Sequence, residues 1–203
     1  MGCCAPRNKK YVFIIGTPGS GQSELCKKLQ ENTNDTSFVA IPEMDLDREI
    51  EIREQSILDF QKTYNEKHKE NNQIISLIVS VKFERTDIMK RNLLSVIKYF
   101  RRFIDLIIII VTYFDQSEYV DEDKENLKKS LKFLLKNDEE RIFFSQNSNQ
   151  IDEKEKLLDV INKVDQNKQQ SFTLKDTIFE EVDDSQKQQI LNQLFSSFGT
   201  RKQ

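Results

Sequence analysis

Unbroken apolar runs alternate along this chain with longer stretches whose apolar residues recur every three or four positions. The first pattern predicts strands buried on both faces, and the second predicts amphipathic helices. The clearest runs are residues 11–16 (Tyr-Val-Phe-Ile-Ile-Gly), 74–81 and 105–112; residues 37–42, closed by Pro42, and 141–145 are shorter. Between them, residues 21–30 predict a helix with Leu25, Cys26 and Leu29 inward. Residues 46–72 carry Ile50, Ile57, Leu58 and Tyr64 at roughly helical spacing, as one helix or two. A helix capped by Thr86 or Asp87 runs to about Phe103. Its inner face is Ile88, Met89, Leu93, Leu94, Ile97 and Phe100, with Lys90, Arg91, Lys98, Arg101 and Arg102 outward. Residues 121–135 (Leu127, Leu131, Leu134 and Leu135 inward) and 151–164 supply two more helices. Such alternation predicts a parallel sheet covered on both faces, with ligands at the carboxyl ends of its strands.

A length of 203 residues suits one domain with an appendage, and the concentration of apolar residues in blocks is enough for a core. A net charge of -3 gives no general reason to expect nucleic acid. The basic cluster at residues 98–102 interleaves Tyr99 and Phe100, but those two alternate with the core face. No segment reaches the roughly 20 apolar residues that cross a bilayer, and the amino end has no signal-peptide pattern. Of three cysteines, Cys3 and Cys4 are adjacent and Cys26 lies in a helix, so no disulfide framework is implied and a reducing, cytosolic-side location is expected. The only histidine, His68, sits in a charge cluster, and there are no Cys/His metal spacings. A Ser/His/Asp hydrolase is therefore set aside.

The two ends carry their own signals. Met1-Gly2-Cys3-Cys4 reads as a lipid anchor: Gly2 is a myristoylation site once Met1 is removed, and Cys3 and Cys4 are palmitoylation sites. Arg7, Lys9 and Lys10 would add attraction to anionic lipid. Pro6 departs from the pattern, which prefers Ser or Thr there. One myristoyl chain binds only marginally, so the second signal matters. Three segments follow: residues 1–10 as anchor, 11–164 as the domain, and 165–203 as a linker and amphipathic helix. That helix, residues 185–198, puts Ile190, Leu191, Leu194, Phe195 and Phe198 on one side. It either packs back on the domain or docks a protein partner.

The chemistry is concentrated after the first strand. Residues 16–23 (Gly-Thr-Pro-Gly-Ser-Gly-Gln-Ser) match the phosphate-loop pattern G-x-x-x-x-G-K-[ST] except at Gln22, which stands where lysine is required. A strand–loop–helix unit aims backbone N–H groups and the positive end of a helix at one point, which suits a phosphate. Lysine neutralises phosphate charge there, an effect commonly worth ~3 kcal/mol or more in a transition state. Glutamine keeps a donor and loses the charge. Pro18 removes one more N–H.

With the strands placed, the order of features resembles a P-loop GTPase, most closely the AIG1/GIMAP-type G domain, over about residues 11–164. The residues that carry the likeness are the loop, then Thr112-Tyr113-Phe114-Asp115 for the family's Thr-[Lys/Arg]-x-Asp, then Asn147 after the last strand. The resemblance implies an α/β, P-loop NTPase-like three-layer sandwich with a mostly parallel central sheet. The switch I strand would be missing, because residues 31–38 leave no room for it. It implies a nucleotide-binding set of Gly16, Gly19, Ser20, Gly21, Gln22, Ser23, Leu25, Thr112, Asp115 and Asn147. GTP or GDP with Mg2+ would be the cofactor, if any is bound, and the Ser23 hydroxyl would contact the metal. Asp115 would accept both N–H donors of guanine, a bidentate contact that adenine cannot supply.

The departures fall on the catalytic and sensing parts. Tyr113 replaces a basic residue, and the Asp-x-x-Gly segment would fall at Ala40–Glu43, with Ala40 for the acid and Glu43 for the glycine. Glu43 or Asp45 could hold magnesium from a shifted position. The expectation is therefore a pseudo-GTPase: a membrane-anchored scaffold or interaction module on the cytoplasmic face, with weak or no guanine-nucleotide binding. The alternatives are an active AIG1-type GTP-binding switch and a nucleotide kinase. The kinase needs clamping arginines, for which Arg85, Arg91, Arg101 and Arg102 are the candidates.

Overall fold

The computed structural model describes residues 9–31, 33, 36–44, 46, 49–67, 72–146, 150–151 and 154–167. Residues 1–8, with Gly2, Cys3 and Cys4, lie outside the described residues, as do Asp45, His68, Asn147 and the tail from residue 168. Six strands form one sheet: β1 (Lys10–Gly16), β2 (Thr36–Ile41), β3 (Gln73–Lys82), β4 (Ile107–Thr112), β5 (Ile142–Gln146) and β6 (Gln150–Ile151). Their order is β2-β1-β3-β4-β5-β6. The first five are parallel, and only the two-residue β6 runs against its neighbour. Among the described residues no antiparallel strand flanks β2, so the sheet lacks the switch I strand as expected.

The helices are α1 (Gln22–Gln30), α2 (Ile50–Lys67), α3 (Thr86–Ile97), α4 (Val120–Leu131) and α5 (Lys154–Asn167). Parallel crossovers are right-handed, so the step from β1 out to β2 puts α1 on one face. The later steps, in the opposite direction, put α2, α3 and α4 on the other. The Lys154 ammonium reaches the Lys28 and Glu31 carbonyls at the end of α1, at 2.8 and 2.6 Å, which places α5 beside α1. The unbroken runs explain the middle layer: Val12–Ile15 and all of β4 are buried on both sides.

Residues 50–67 form one helix, and its anchor is Phe60 rather than Leu58. Phe60 lies three residues after Ile57 and four before Tyr64, completing the inward stripe. Its ring meets Phe13 edge-on at 5.9 Å and Phe100 at 5.2 Å. Leu58 is 57% exposed.

The helix expected over 86–103 ends at Ile97 and continues as a 3-10 segment, Lys98–Leu106, kinked at Phe100 and Phe103. The tighter turns bury Tyr99, Phe100 and Phe103 while Arg101 and Arg102 stay outside. Neither Thr86 nor Asp87 caps α3; Arg85 is the cap position, and Asp87 instead accepts from the Arg85 guanidinium at 3.1 and 3.2 Å. Lys90 is not outward. It is buried in the seam between α3 and the segment Lys132–Leu135, with its ammonium 6.0 Å from the Phe133 ring centre. The α3–α4 contact widens the buried stripe past the lysine's hydrocarbon stem.

Strand β4 starts at Ile107 rather than Asp105, because a carboxylate cannot enter a strand covered on both faces. Asp105 turns outward and binds Lys136 at 2.7 Å. The expected helix 121–135 is α4 followed by the 3-10 turn Lys132–Leu135. Arg141 precedes β5, in the turn Glu139–Arg141, and Ile151 belongs to β6 rather than to α5. Helix α5 extends to Asn167, three residues past the expected domain boundary.

Candidate nucleotide-loop site

The loop leaves β1 at Gly16 and enters α1 at Gln22. Gly19 (φ 73°) and Gly21 (φ 67°) are left-handed, a conformation in which side-chain-bearing residues are strained. Gly16 is required by space: a Cβ there would lie 2.6 Å from Ser20 Oγ and 2.7 Å from both Gln22 Cδ and Oε1. The three glycines thus hold a turn in which Gln22 lies across the first of them. The Gln22 side chain is buried rather than extended toward solvent.

Several of the loop's N–H groups have partners within the chain. Thr17 N–H donates to the Ser80 carbonyl (3.1 Å), and Ser20 N–H to the Thr17 carbonyl (3.0 Å). Gly19 N–H donates to Glu43 Oε1 at 3.1 Å. Strand register explains that last contact. Ile15 pairs with Ile41 across β1 and β2, which carries residue 43 alongside the loop. Met44, buried in the core, then donates its N–H to the Gly16 carbonyl at 3.0 Å and pins the segment there. The N–H groups of the first helical turn have no partners within their own helix, and those of Gln22 and Ser23 open α1.

The side-chain hydroxyls are likewise engaged. Ser20 Oγ lies 2.9 Å from Ser80 Oγ, and Ser80 Oγ lies 3.4 Å from the Ile15 carbonyl. Thr17 Oγ1 donates to the Ser80 carbonyl at 3.3 Å. Thr112 Oγ1, fully buried, donates to the Ser20 carbonyl (2.9 Å) and lies 3.2 Å from the Val81 carbonyl. Thr112 therefore braces the loop from the end of β4. Sequence reasoning missed Ser80. The available signal was a serine inside an otherwise apolar run, where a buried hydroxyl needs a partner.

The remaining expected residues separate. Ser23 is exposed at the mouth of the loop. Leu25 is in the core, and its N–H is bonded to the Gly21 carbonyl at 3.1 Å. Asp115 is exposed in the turn Phe114–Gln116, three residues beyond Thr112. Tyr113 has a left-handed backbone (φ 56°). Behind this end of the sheet, Phe114 packs against Phe83 at 5.0 Å and Phe144 at 4.6 Å. Burial raises the thiol pKa of half-buried Cys26, and a hydrogen bond from the Ala40 backbone partly opposes this. That thiol is not poised for chemistry.

Two features of the loop bear on phosphate binding. A carboxylate sits on one of its N–H groups, and the side chain at the lysine position is neutral and packed inward. Among the described residues no group of three or more His, Cys, Asp or Glu side chains could hold a metal ion.

No protein-family model matches the chain, and no curated protein matches it in sequence. Solved structures do match it. One is described as the crystal structure of a probable GTP-binding protein engB, with a TM-score of 0.51 and 14% identity over 78% of this chain and 99% of that one. The chain therefore shares the α/β fold of that structure: a five-stranded parallel sheet between helices, with the glycine loop after its first strand.

Proposed function

We propose that this protein is a pseudo-GTPase: a GTPase-like domain that keeps the phosphate loop as architecture and acts as a membrane-anchored scaffold or interaction module. It binds guanine nucleotide weakly or not at all. The observation that carries the reading is Gln22, buried across Gly16 where a phosphate-directed cation would be needed. Glu43 on the Gly19 N–H reinforces it, since an arriving phosphate would meet a carboxylate. The kinase reading is disfavoured. Arg101 and Arg102 precede β4 at the end of the sheet opposite the loop, and Arg85 is held by Asp87.

A second reading, an active guanine-nucleotide switch of AIG1 type, draws on the exposure of Ser23 and Asp115 and on the left-handed glycines. Calorimetric titration of the full chain with GTP, GDP and ATP in magnesium separates the two. The scaffold reading expects no saturable heat at micromolar protein, and micromolar guanine-nucleotide affinity overturns it. The variant Gln22→Lys with Glu43→Gln restores the cation and removes the competing carboxylate. We expect it to gain about 3 kcal/mol of phosphate affinity, roughly a hundredfold in Kd.

Anchoring rests on Gly2, Cys3 and Cys4, with cytoplasmic-face membranes as the site of action. Among the described residues no helix is long and apolar enough to cross a membrane. Gly2→Ala is expected to shift the protein from the membrane to the soluble fraction of cells; unchanged fractionation rules the anchor out.

A further inference from the structure

At the end of the sheet opposite the loop, a cavity of about 310 Å³ opens between α3, the segment Lys98–Leu106 and the turn Lys132–Leu135. Its rim is cationic, with Lys98, Arg101, Arg102 and Lys136 against one acid, Asp105. Its floor is apolar, built from Ile97, Ile104 and Phe133 among others. A cationic rim over an apolar floor asks for an occupant that is both acidic and hydrophobic. Asp105 and Lys136 also line a neighbouring depression with Val160, Lys163 and Val164 of α5. The last turns of α5 therefore run beside the cavity, and the chain continues from Asn167 at that point.

We propose that this cavity is the docking site for the chain's own segment Leu174-Lys175-Asp176-Thr177-Ile178-Phe179-Glu180-Glu181-Val182-Asp183-Asp184. The segment lies outside the described residues, but its sequence is complementary to the cavity. It carries five carboxylates against one lysine, with Ile178, Phe179 and Val182 between them. Phe179 and Ile178 enter the floor while Glu180, Glu181 and Asp183 meet the rim. Reach is sufficient: six residues separate Asn167 from Leu174, and the seven steps between them span up to about 25 Å when extended. A tether this short gives an effective concentration in the millimolar range, so a weak contact is occupied. The inference is independent of whether the loop binds nucleotide.

Zero-length carbodiimide cross-linking of the full chain tests the contact without any substitution. The expected products join Lys98 or Lys136 to Glu180, Glu181 or Asp183 within one chain. Their yield should fall as salt screens the rim. Hydrogen exchange of residues 97–104 gives a second readout, and Ile178→Asp with Phe179→Asp should speed it about tenfold. Charge reversal at Arg101→Glu and Arg102→Glu should abolish the cross-links, and adding Glu180→Arg and Glu181→Arg should restore protection. Three results overturn the proposal. One is cross-links formed only between isotopically distinct copies. Another is exchange unaffected by the Ile178 and Phe179 substitutions. The third is binding of the full chain to phosphatidylserine vesicles that the Arg101 and Arg102 reversals abolish while exchange at 97–104 ignores the tail.

Discussion

The two ends of the sheet handle polar groups in opposite ways. At the carboxyl ends of the strands, the loop is held by neutral bonds among Thr17, Ser20, Ser80 and Thr112, and its one carboxylate contact, from Glu43, is at the surface. At the amino ends, a buried guanidinium does the holding. Arg141 donates to the carbonyls of Ile104 (2.8 Å), Ile107 (3.1 Å) and Leu135 (2.7 Å), and to Asp138 at 2.8 Å. Ile104 and Leu135 also accept backbone N–H groups, from Ile107 and Asp138, and the third carbonyl is that of the first residue of β4. A structural cation thus sits at the end of the sheet opposite the glycine loop, while the loop itself buries the neutral Gln22.

The largest test of this contrast is Arg141→Met. It removes the guanidinium that ties three carbonyls and Asp138 together and should cost about 2–4 kcal/mol in urea unfolding. Arg141→Lys should recover little, since one ammonium cannot span the same fork. Next comes Gly16→Ala at the loop, expected to cost about 1–3 kcal/mol through overpacking against Ser20 and Gln22. Adding Gln22→Ala should return part of that loss, and a strictly additive double mutant would show that the two residues do not press on one another.

Lys90 gives an effect of the opposite sign. Burial lowers its pKa from 10.5 to about 8. Between pH 8 and 10.5 the unfolded chain therefore binds the extra proton, so stability rises with pH across that window and the full penalty remains below it. Lys90→Met should raise stability at pH 7 by about 1–3 kcal/mol and flatten that rise. Thermal unfolding of both proteins from pH 7 to 10 measures each part.

Much of this architecture was legible in the chain. The central strands announce themselves because burial on both faces leaves an unbroken apolar run, and the glycine loop is readable because its backbone tolerates no substitute. The break at Ile97 was hidden. Tyr99, Phe100 and Phe103 continue the apolar helical period, and only the local backbone at Phe100 and Phe103 departs from it. Lys90 and Arg141 were also unreadable inside, since charge alone argues for the surface and only tertiary partners reverse that. The Glu43 contact depends on the register between β1 and β2, a pairing that no local pattern encodes. Which N–H group of the loop meets Glu43 is settled by that register and not by the loop's own residues.

The ion pair between Lys10 and Asp165, at 2.9 Å, closes β1 onto the end of α5. The described domain is thereby almost a ring in chain topology, with both of its outgoing segments leaving from one corner. Anything pulling on the amino end and anything carried by the carboxyl tail act on that same corner. The glycine loop is carried on the opposite pole.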